Sequence, residues 1–143
     1  LDLLEQYSFD LKHTWVMETG GMKGMRKEVT REALHSQLKK GFGVHKIFSE
    51  YGMTELMSQA YSIGEGIFEC PPWMRVAARE TQDPFNLLPW GQSGGLNIID
   101  LANRDSCAFI ATEDLARVHS DKRFEVLGRL DASEIRGCNL MVI

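Results

Sequence analysis

The first sixty residues alternate between short apolar runs and a helical repeat. Residues 14–18 form a run typical of a short strand, and a turn rich in glycine begins at Gly20. Apolar positions then recur at helical spacing over residues 27–40, and two glycines follow as stop signals. A second strand is predicted over residues 44–50. This order predicts a βαβ unit, in which the strands are parallel and ligands bind beyond their carboxyl ends.

From residue 61 onward the pattern changes to short runs of β-branched, aromatic and aliphatic residues, separated by glycines and prolines at short spacing. This texture is typical of a small antiparallel sheet or barrel. The candidate strands are residues 66–69, 74–78, 96–101, 108–111, 124–127 and 138–142. The predicted fold class is therefore α/β: a βαβ lobe over residues 1–60, followed by a small antiparallel β-barrel-like subdomain over residues 61–143.

Composition and charge exclude several classes of protein. The chain has 143 residues, of which 43% are hydrophobic and 25% charged, as in an ordinary soluble globular domain. The formal net charge is -4 and no basic block is longer than two residues, which argues against a nucleic-acid partner. The longest uncharged stretch, residues 84–99, contains two prolines and three glycines, so no membrane span is expected.

The cysteines and histidines show no pattern typical of a metal or disulfide site. Cys70, Cys107 and Cys138 are odd in number and far apart, which fits neither a disulfide framework nor a structural zinc site. The four histidines are equally scattered, and each is expected to be structural. A reducing cytoplasm is the predicted location.

The chain begins without methionine, and residues 1–9 do not resemble a secretory signal, so we expect a processed product or a piece of something longer.

A hydroxyl and a carboxylate stand side by side just after the second predicted strand, in Tyr51-Gly52-Met53-Thr54-Glu55. The Thr54 hydroxyl can donate to a phosphate oxygen, and the Glu55 carboxylate can hold the magnesium ion that accompanies it. The ring of Tyr51 could stack on a base. The alternative is an ordinary turn from strand to helix, with Thr54 as the N-cap.

Two further segments carry residues suited to a ribose or a phosphate. Residues 111–116 include Thr112, Glu113 and Asp114, and residues 128–131 include Arg129 and Asp131. An acidic side chain can accept hydrogen bonds from both ribose hydroxyls, and an arginine can bind ribose or phosphate oxygens. The alternative is that these charged residues lie in turns and are only solvated.

Taken in order, the four motifs resemble the second half of the adenylate-forming domain shared by acyl-CoA synthetases, luciferases and peptide-synthetase adenylation modules. They are Gly20-Gly21, Tyr-Gly-x-Thr-Glu thirty residues later, Thr-x-Asp-Leu and Gly-Arg-x-Asp. In detail the chain looks most like the acyl-protein synthetase component of the bacterial bioluminescence fatty-acid reductase, with phenylacetate-CoA-ligase-like enzymes next. The closer match rests on residues 18–24, Glu-Thr-Gly-Gly-Met-Lys-Gly, and on residues 135–140, Ile-Arg-Gly-Cys-Asn-Leu.

The resemblance runs from about residue 15 to residue 140 and covers only part of such an enzyme. Members of the family also carry an upstream phosphate loop rich in Ser, Thr and Gly, and most end in a small mobile domain with a catalytic lysine. Neither is present in this sequence. The chain is therefore expected to be the C-terminal portion of an adenylate-forming domain and to be inactive by itself.

The resemblance also implies roles for individual residues. The nucleotide-binding residues would be Gly20 and Gly21 against the adenine, Tyr51 on its face with Gly52 beside it, Thr54 at the α-phosphate, Asp114 at the ribose, and Arg129. Glu55 would hold magnesium, and Asp131 would occupy the hinge position. One departure is that the family's common Thr-Gly-Asp is Thr112-Glu113-Asp114 here, with a glutamate in place of glycine.

Cys138 is the candidate acyl acceptor. In acyl-protein synthetases the acyl group passes from the adenylate to a cysteine near the C-terminus, and a thiolate attacks such a mixed anhydride readily. The alternative is that Cys138 is merely buried in a final apolar strand. Cys70 is a weaker candidate.

The predicted protein is thus a fragment of an ATP-dependent acyl-activating enzyme that uses ATP and magnesium. It would form an acyl-adenylate from a fatty acid or another carboxylic acid and pass the acyl group to a cysteine. An acyl-accepting protein, a reductase, is a further expected partner. The alternatives are an acyl-CoA synthetase with coenzyme A as acceptor, and a non-catalytic interaction domain that keeps the fold.

Overall fold

The computed structural model describes residues 1–19 and 30–130. These residues form two compact units. The first consists of the described residues of Leu1–Gly52 together with Ala60–Phe68, and the second consists of Met53–Gln59 together with the described residues from Glu69 onward. The elements, in chain order, are α1 (Asp2–Gln6), β1 (Val16–Thr19), α2 (Arg31–Phe42), β2 (Ile47–Tyr51), β3 (Ala60–Ser62), β4 (Ile67–Glu69), β5 (Met74–Arg79), β6 (Ser93–Asp100), a 3-10 turn (Leu101–Asn103), β7 (Phe109–Val118) and β8 (Phe124–Arg129).

The first unit contains the predicted βαβ arrangement. Strands β1 and β2 are parallel, with Val16 opposite Ile47 and Thr19 opposite Glu50. Strand β3 then pairs with β2 in the antiparallel direction, and β4 follows β3 in the strand order. The parallel pair confirms the predicted strand, helix and strand, although both strands begin two to three residues later than the sequence pattern suggests.

Helix α2 begins and ends at residues whose chemistry favours helix termini. The Thr30 side chain accepts a hydrogen bond from the backbone N–H of Ala33 at 3.3 Å, which satisfies one of the unpaired donors of the first turn. Gly43 ends the helix in the left-handed conformation, with φ of 66°, which a residue without a β-carbon adopts at little cost. Of the two predicted glycine stops, Gly43 is confirmed, whereas Gly41 lies inside the helix, which ends at Phe42.

The second unit is an antiparallel sheet in the order β8, β7, β6, β5. Alternate residues of β6, namely Leu96, Ile98 and Asp100, are fully or almost fully buried, as expected for a strand with one face toward a core. The sheet formed by the described residues of this unit is open, since β5 and β8 lie at opposite ends of the strand order. The strands predicted over residues 74–78, 96–101, 108–111 and 124–127 are confirmed as antiparallel, and in the described chain they do not close into a barrel. The strand predicted over residues 138–142 lies outside the described residues.

Strands β7 and β8 are longer than the sequence predicts. The run expected at residues 108–111 continues to Val118, and the run that begins at Phe124 continues to Arg129. Cross-strand pairing explains the extension, because the ladder joins Asp114 to Arg129 and continues to the pair of Val118 and Phe124. Asp114 and Arg129 therefore lie in strands, which corrects the interpretation that these charged residues lie in turns.

Candidate functional site

The carboxyl ends of β1 and β2 lie at the same edge of the first unit's sheet, because the two strands are parallel and in register up to Thr19 and Glu50. This is the edge at which a βαβ unit binds ligands. Gly20 and Gly21, which follow β1, lie outside the described residues. At the end of β2, Tyr51 is half-buried and its ring lies 5.9 Å from that of Phe68, tilted by 60°.

The segment after Tyr51, residues 53–59, forms what we call the motif loop, and it belongs to the second unit. Thr54 and Glu55 are exposed at its start, in a turn that the backbone N–H of Leu56 closes on the carbonyl of Met53 at 3.1 Å. The segment contains no helix. The alternative role of Thr54 as the N-cap of a helix is therefore wrong, and its hydroxyl is available to solvent.

Two buried side chains at the end of β6 hold the motif loop. The carboxylate of Asp100, which is fully buried, accepts hydrogen bonds from the N–H groups of Met57 and Ser58 at 3.0 and 2.9 Å. Asn103 donates from Nδ2 to the backbone carbonyl of Glu55 at 2.6 Å. Neither residue was predicted, because their partners lie more than 40 residues away and nothing in the local pattern shows that they meet. The one available signal was an aspartate on the apolar, buried register of β6.

Hydrogen bonding decides the charge of Asp100. Burial acts to raise the pKa of the Asp100 carboxyl, but hydrogen bonds from Ser58, Ala102 and Met57 outweigh it and hold the pKa below its usual range. The carboxylate is thus ionised at neutral pH, and it is charged without a salt-bridge partner among the described residues. Charge-assisted hydrogen bonds of this kind are stronger than neutral ones.

The predicted ribose and phosphate residues come together on β7 and β8. Asp114 is half-buried and lies opposite Arg129 in the antiparallel register. The guanidinium of Arg129 reaches Glu113, with Nη2 2.8 Å from Oε2, and both side chains are exposed. Glu113 replaces the glycine of the resembled family. It is therefore the ion-pair partner of Arg129, the candidate nucleotide-binding arginine.

Thr112 has a structural role at the same place. Its buried hydroxyl donates to the carbonyl of Leu96 at 3.0 Å and accepts the backbone N–H of Asp114 at 3.1 Å. Arg79 donates to the carbonyl of Thr112 at 2.6 Å, and also to that of Leu96. These hydrogen bonds fix the backbone of β7 at residues 112–114, and so the position of Asp114.

The two described thiols differ in burial. Cys70 is half-buried, and burial raises the pKa of its thiol to about 11, although Arg75 nearby acts to lower it. Cys107 is exposed, and its Sγ lies 3.2 Å from the carbonyl oxygen of Phe109. Cys138, the candidate acyl acceptor, and Asp131, the candidate hinge, lie outside the described residues.

A buried cluster in the first unit has the residue types of a catalytic triad but not its geometry. His35 Nε2 lies 3.4 Å from Ser49 Oγ and 3.5 Å from Glu18 Oε1. A catalytic triad needs the hydroxyl and the carboxylate on opposite ring nitrogens, whereas here both approach the same one. Ser49 is also fully buried, so a substrate cannot reach it. The cluster joins β1, α2 and β2 and has a structural role.

The residues present suit magnesium only in partnership with a phosphate. The described residues contain no group of three or more histidine, cysteine, aspartate or glutamate side chains that could hold a metal ion. Glu55 supplies one exposed carboxylate. Magnesium commonly binds through one or two carboxylates, waters and the phosphates of its nucleotide. A single exposed carboxylate such as that of Glu55 would therefore suit a magnesium ion that the phosphates of a nucleotide also hold.

The helices give no sign of a membrane span. Within residues 1–19 and 30–130, none is long and apolar enough to cross a bilayer.

Comparison with solved structures identifies the fold. O-succinylbenzoate coenzyme A synthetase (MenE) from Bacillus subtilis, in complex with ATP and magnesium ion, is 20% identical and superimposes with a TM-score of 0.59 over 90% of this chain. A variant of coronafacic acid ligase from Pectobacterium brasiliense is 20% identical with a TM-score of 0.60, and ATP-bound MatB from Rhodopseudomonas palustris is 15% identical with a TM-score of 0.54; each match covers 90% of this chain. The fold is that of the corresponding part of adenylate-forming acyl-CoA synthetases.

The chain spans 29% of the length of the MenE structure, 27% of the ligase and 32% of MatB. No protein-family model matches the sequence, and no curated protein matches it at a significant level. At this level of identity the likeness shows the fold alone.

Proposed function

We propose that the chain is the C-terminal portion of an ATP-dependent acyl-activating enzyme. The observation that carries the proposal is the pairing of Asp114 with Arg129 on adjacent strands, in a fold shared with ATP-bound ligases. In the proposal, Asp114 accepts hydrogen bonds from the ribose hydroxyls, and Arg129 donates to ribose or phosphate oxygens. Gly20, Gly21 and the ring of Tyr51 contact the adenine.

The motif loop would serve the triphosphate. The exposed hydroxyl of Thr54 donates to an oxygen of the α-phosphate, and the exposed carboxylate of Glu55 is the protein's ligand to magnesium. Magnesium, when bound, supplies positive charge to the phosphate oxygens. Both side chains are solvent-accessible while the backbone beneath them is held by Asn103, which suits groups that must meet a ligand in one arrangement.

The proposed reaction has two steps. An oxygen of the substrate carboxylate attacks the α-phosphorus of ATP, the bond to the bridging oxygen of the β-phosphate breaks, and pyrophosphate leaves an acyl-adenylate. The thiolate sulfur of Cys138 then attacks the acyl carbon, the bond to AMP breaks, and a thioester remains. A fatty acid is the proposed substrate, and a reductase would accept the acyl group from the protein.

A second candidate has coenzyme A, instead of Cys138, as the acyl acceptor. It is favoured by one specific observation: MenE, which shares the fold, is a coenzyme A synthetase. The two candidates share adenylation and differ only in the second step.

Exchange between ATP and labelled pyrophosphate tests the adenylation step. The full-length protein, incubated with magnesium and fatty acids of several chain lengths, is expected to catalyse acid-dependent exchange. Label from the fatty acid should then appear on the protein without coenzyme A, whereas thioester formed only when coenzyme A is added would support the second candidate. Absence of exchange with every acid would favour a non-catalytic interaction domain that keeps the fold.

A further inference from the structure

The motif loop is hydrogen-bonded at Glu55, Met57 and Ser58 to a single turn of the second unit, residues 100–103. Asp100 holds the late part of the loop, because its Oδ2 accepts the N–H groups of Met57 and Ser58 and its Oδ1 accepts the Ser58 hydroxyl at 2.7 Å. Asn103 holds the early part through the carbonyl of Glu55. The anchored stretch therefore begins at the backbone of the proposed magnesium ligand itself.

Both anchoring side chains are themselves fixed. Oδ1 of Asp100 also accepts the N–H of Ala102 at 3.1 Å, which caps the 3-10 turn with the same carboxylate. Asn103 donates a second bond to the carbonyl of Cys107 at 2.9 Å and accepts the hydroxyl of Ser106. The amide group thus has partners on both its oxygen and its nitrogen, which leaves it one orientation.

The loop side of the contact is equally ordered. The Ser58 hydroxyl, while donating to Asp100, accepts the indole N–H of Trp73 at 2.8 Å. Leu56 and Ser58 are buried, while Thr54, Glu55 and Met57 are exposed. Buried, fully bonded polar groups specify one arrangement more than they add stability, because most of their interaction energy offsets desolvation.

The geometry points to Asp100 and Asn103 as positioning residues for Glu55. They fix the backbone from Glu55 to Ser58, so that the backbone carrying the Glu55 carboxylate does not have to be ordered when magnesium and the triphosphate bind. Neither residue is proposed to touch the nucleotide. The inference rests on the proposed function, since it assigns the loop's order to the binding of a metal with its nucleotide.

Asn103→Ala in the full-length protein tests the inference, because it removes the bond to the Glu55 carbonyl without changing an exposed residue. Mn²⁺ binding, measured by electron paramagnetic resonance in the presence of ATP, is expected to weaken about 10–100-fold, the usual effect of removing a residue that supports a metal ligand. The Mg²⁺ concentration that gives half-maximal pyrophosphate exchange should rise by the same factor. At saturating Mg²⁺ the variant should recover most of the exchange rate.

Ser58→Ala gives a second, milder test, since it removes one of the bonds to Asp100 and leaves the two backbone bonds. It should shift Mn²⁺ binding in the same direction, and it decides the matter if Asn103→Ala does not fold. Val118→Ala is the matched control: it opens a cavity at a buried core position of the same unit. It should lower the melting temperature and leave the metal dependence unchanged.

The outcomes separate the inference from the proposed function. A wild-type protein that neither exchanges pyrophosphate nor binds Mn²⁺ with ATP would overturn the proposed function and the inference with it. A wild-type protein that does both, with Asn103→Ala and Ser58→Ala binding Mn²⁺ as tightly as Val118→Ala does, would overturn the inference alone.

Discussion

Arg129 lies opposite Asp114 in the β7–β8 ladder, yet its guanidinium donates to the neighbouring Glu113 at 2.8 Å. In the proposed site the same guanidinium must also serve a nucleotide. A guanidinium has five N–H donors, so one carboxylate does not exhaust it, but the pair neutralises its charge and restrains its direction. In the proposed site, Glu113 would therefore compete with the nucleotide for Arg129.

The first prediction is that Glu113→Gln tightens ATP binding by the full-length protein by about two- to five-fold. The variant does not have to break the exposed ion pair between Glu113 and Arg129 before Arg129 binds ATP. The exposed positions of both side chains keep the effect small. The difference between the variant and the wild-type protein should shrink as salt is raised from low to physiological ionic strength, because salt screens exposed charges. Calorimetric titration with ATP at two salt concentrations provides the measurement.

Glu125→Gln is the matched control for this change. Glu125 of β8 pairs with Arg117 of β7 at 3.0 Å, in the same ladder but away from the candidate site. Its substitution removes one negative charge from the same two strands and should leave ATP affinity unchanged. Weaker binding by Glu113→Gln would show instead that Glu113 orients Arg129 for the nucleotide.

The second prediction concerns Thr54→Ala and Glu55→Gln, which should each reduce the rate of pyrophosphate exchange by about 10²–10³-fold. Both residues are exposed, so the free energy of unfolding should change by no more than about 0.5 kcal/mol. Exchange assays and thermal melts on the same preparations measure the two effects. Asp105→Asn, at an exposed acidic position of the same unit, should change neither. Equal losses of rate and stability would show that the two residues serve the fold.

The βαβ unit was predictable because each of its signals is local. Apolar spacing shows the strands and α2, and a glycine stop such as Gly43 ends a helix whatever packs against it. Strand β3 was missed because three residues are too few to show a period. The length of β7 was missed because its Thr-Glu-Asp run has the polarity of a turn, and only the partner strand β8 shows it to be a strand.

The residues of the candidate site were predictable, but the buried residues that hold the motif loop were not. Thr54, Glu55, Asp114 and Arg129 stand in short motifs, so sequence spacing reveals them. The Asp100 carboxylate, in contrast, has its partners 42 and 43 residues earlier, and one aspartate in an apolar run does not show which backbone it accepts from. Its ionisation in a fully buried position follows only from those hydrogen bonds.

The third prediction is a loss of stability in acid that depends on Asp100. The pKa of this carboxyl is lowered in the folded protein from the ordinary value of 3.8 that it has in the unfolded chain. The stabilisation is therefore fully present above about pH 5 and is lost as the pH falls through the unfolded and then the folded pKa. Asp100→Asn should cost about 3 kcal/mol at neutral pH, because four hydrogen bonds lose their charged acceptor and the amide NH2 group cannot accept the two donors on its side.

Thermal melts of the wild-type protein and Asp100→Asn between pH 3 and pH 7 check this prediction. The two melting temperatures should differ most at neutral pH and converge as the solution becomes acidic. A gap that stays constant over this range would show that the ionisation of Asp100 does not contribute, and that the variant is destabilised only by altered packing.

The fourth prediction is that Cys138→Ser abolishes transfer of the acyl group to the protein while leaving pyrophosphate exchange intact, because adenylation precedes the attack of the thiol. Full-length protein incubated with ATP and labelled fatty acid should carry label that hydroxylamine removes.

The described cysteines provide the control variants for this prediction. Burial raises the pKa of Cys70 to about 11, so very little of it is the thiolate at neutral pH, and Cys70→Ser should leave labelling unchanged. Cys107 is exposed and accessible to reagents, so Cys107→Ser controls for non-specific acylation of a surface thiol. Label that persists in Cys138→Ser, or that is lost in Cys107→Ser, would contradict the assignment of Cys138 and move the acceptor elsewhere on the protein.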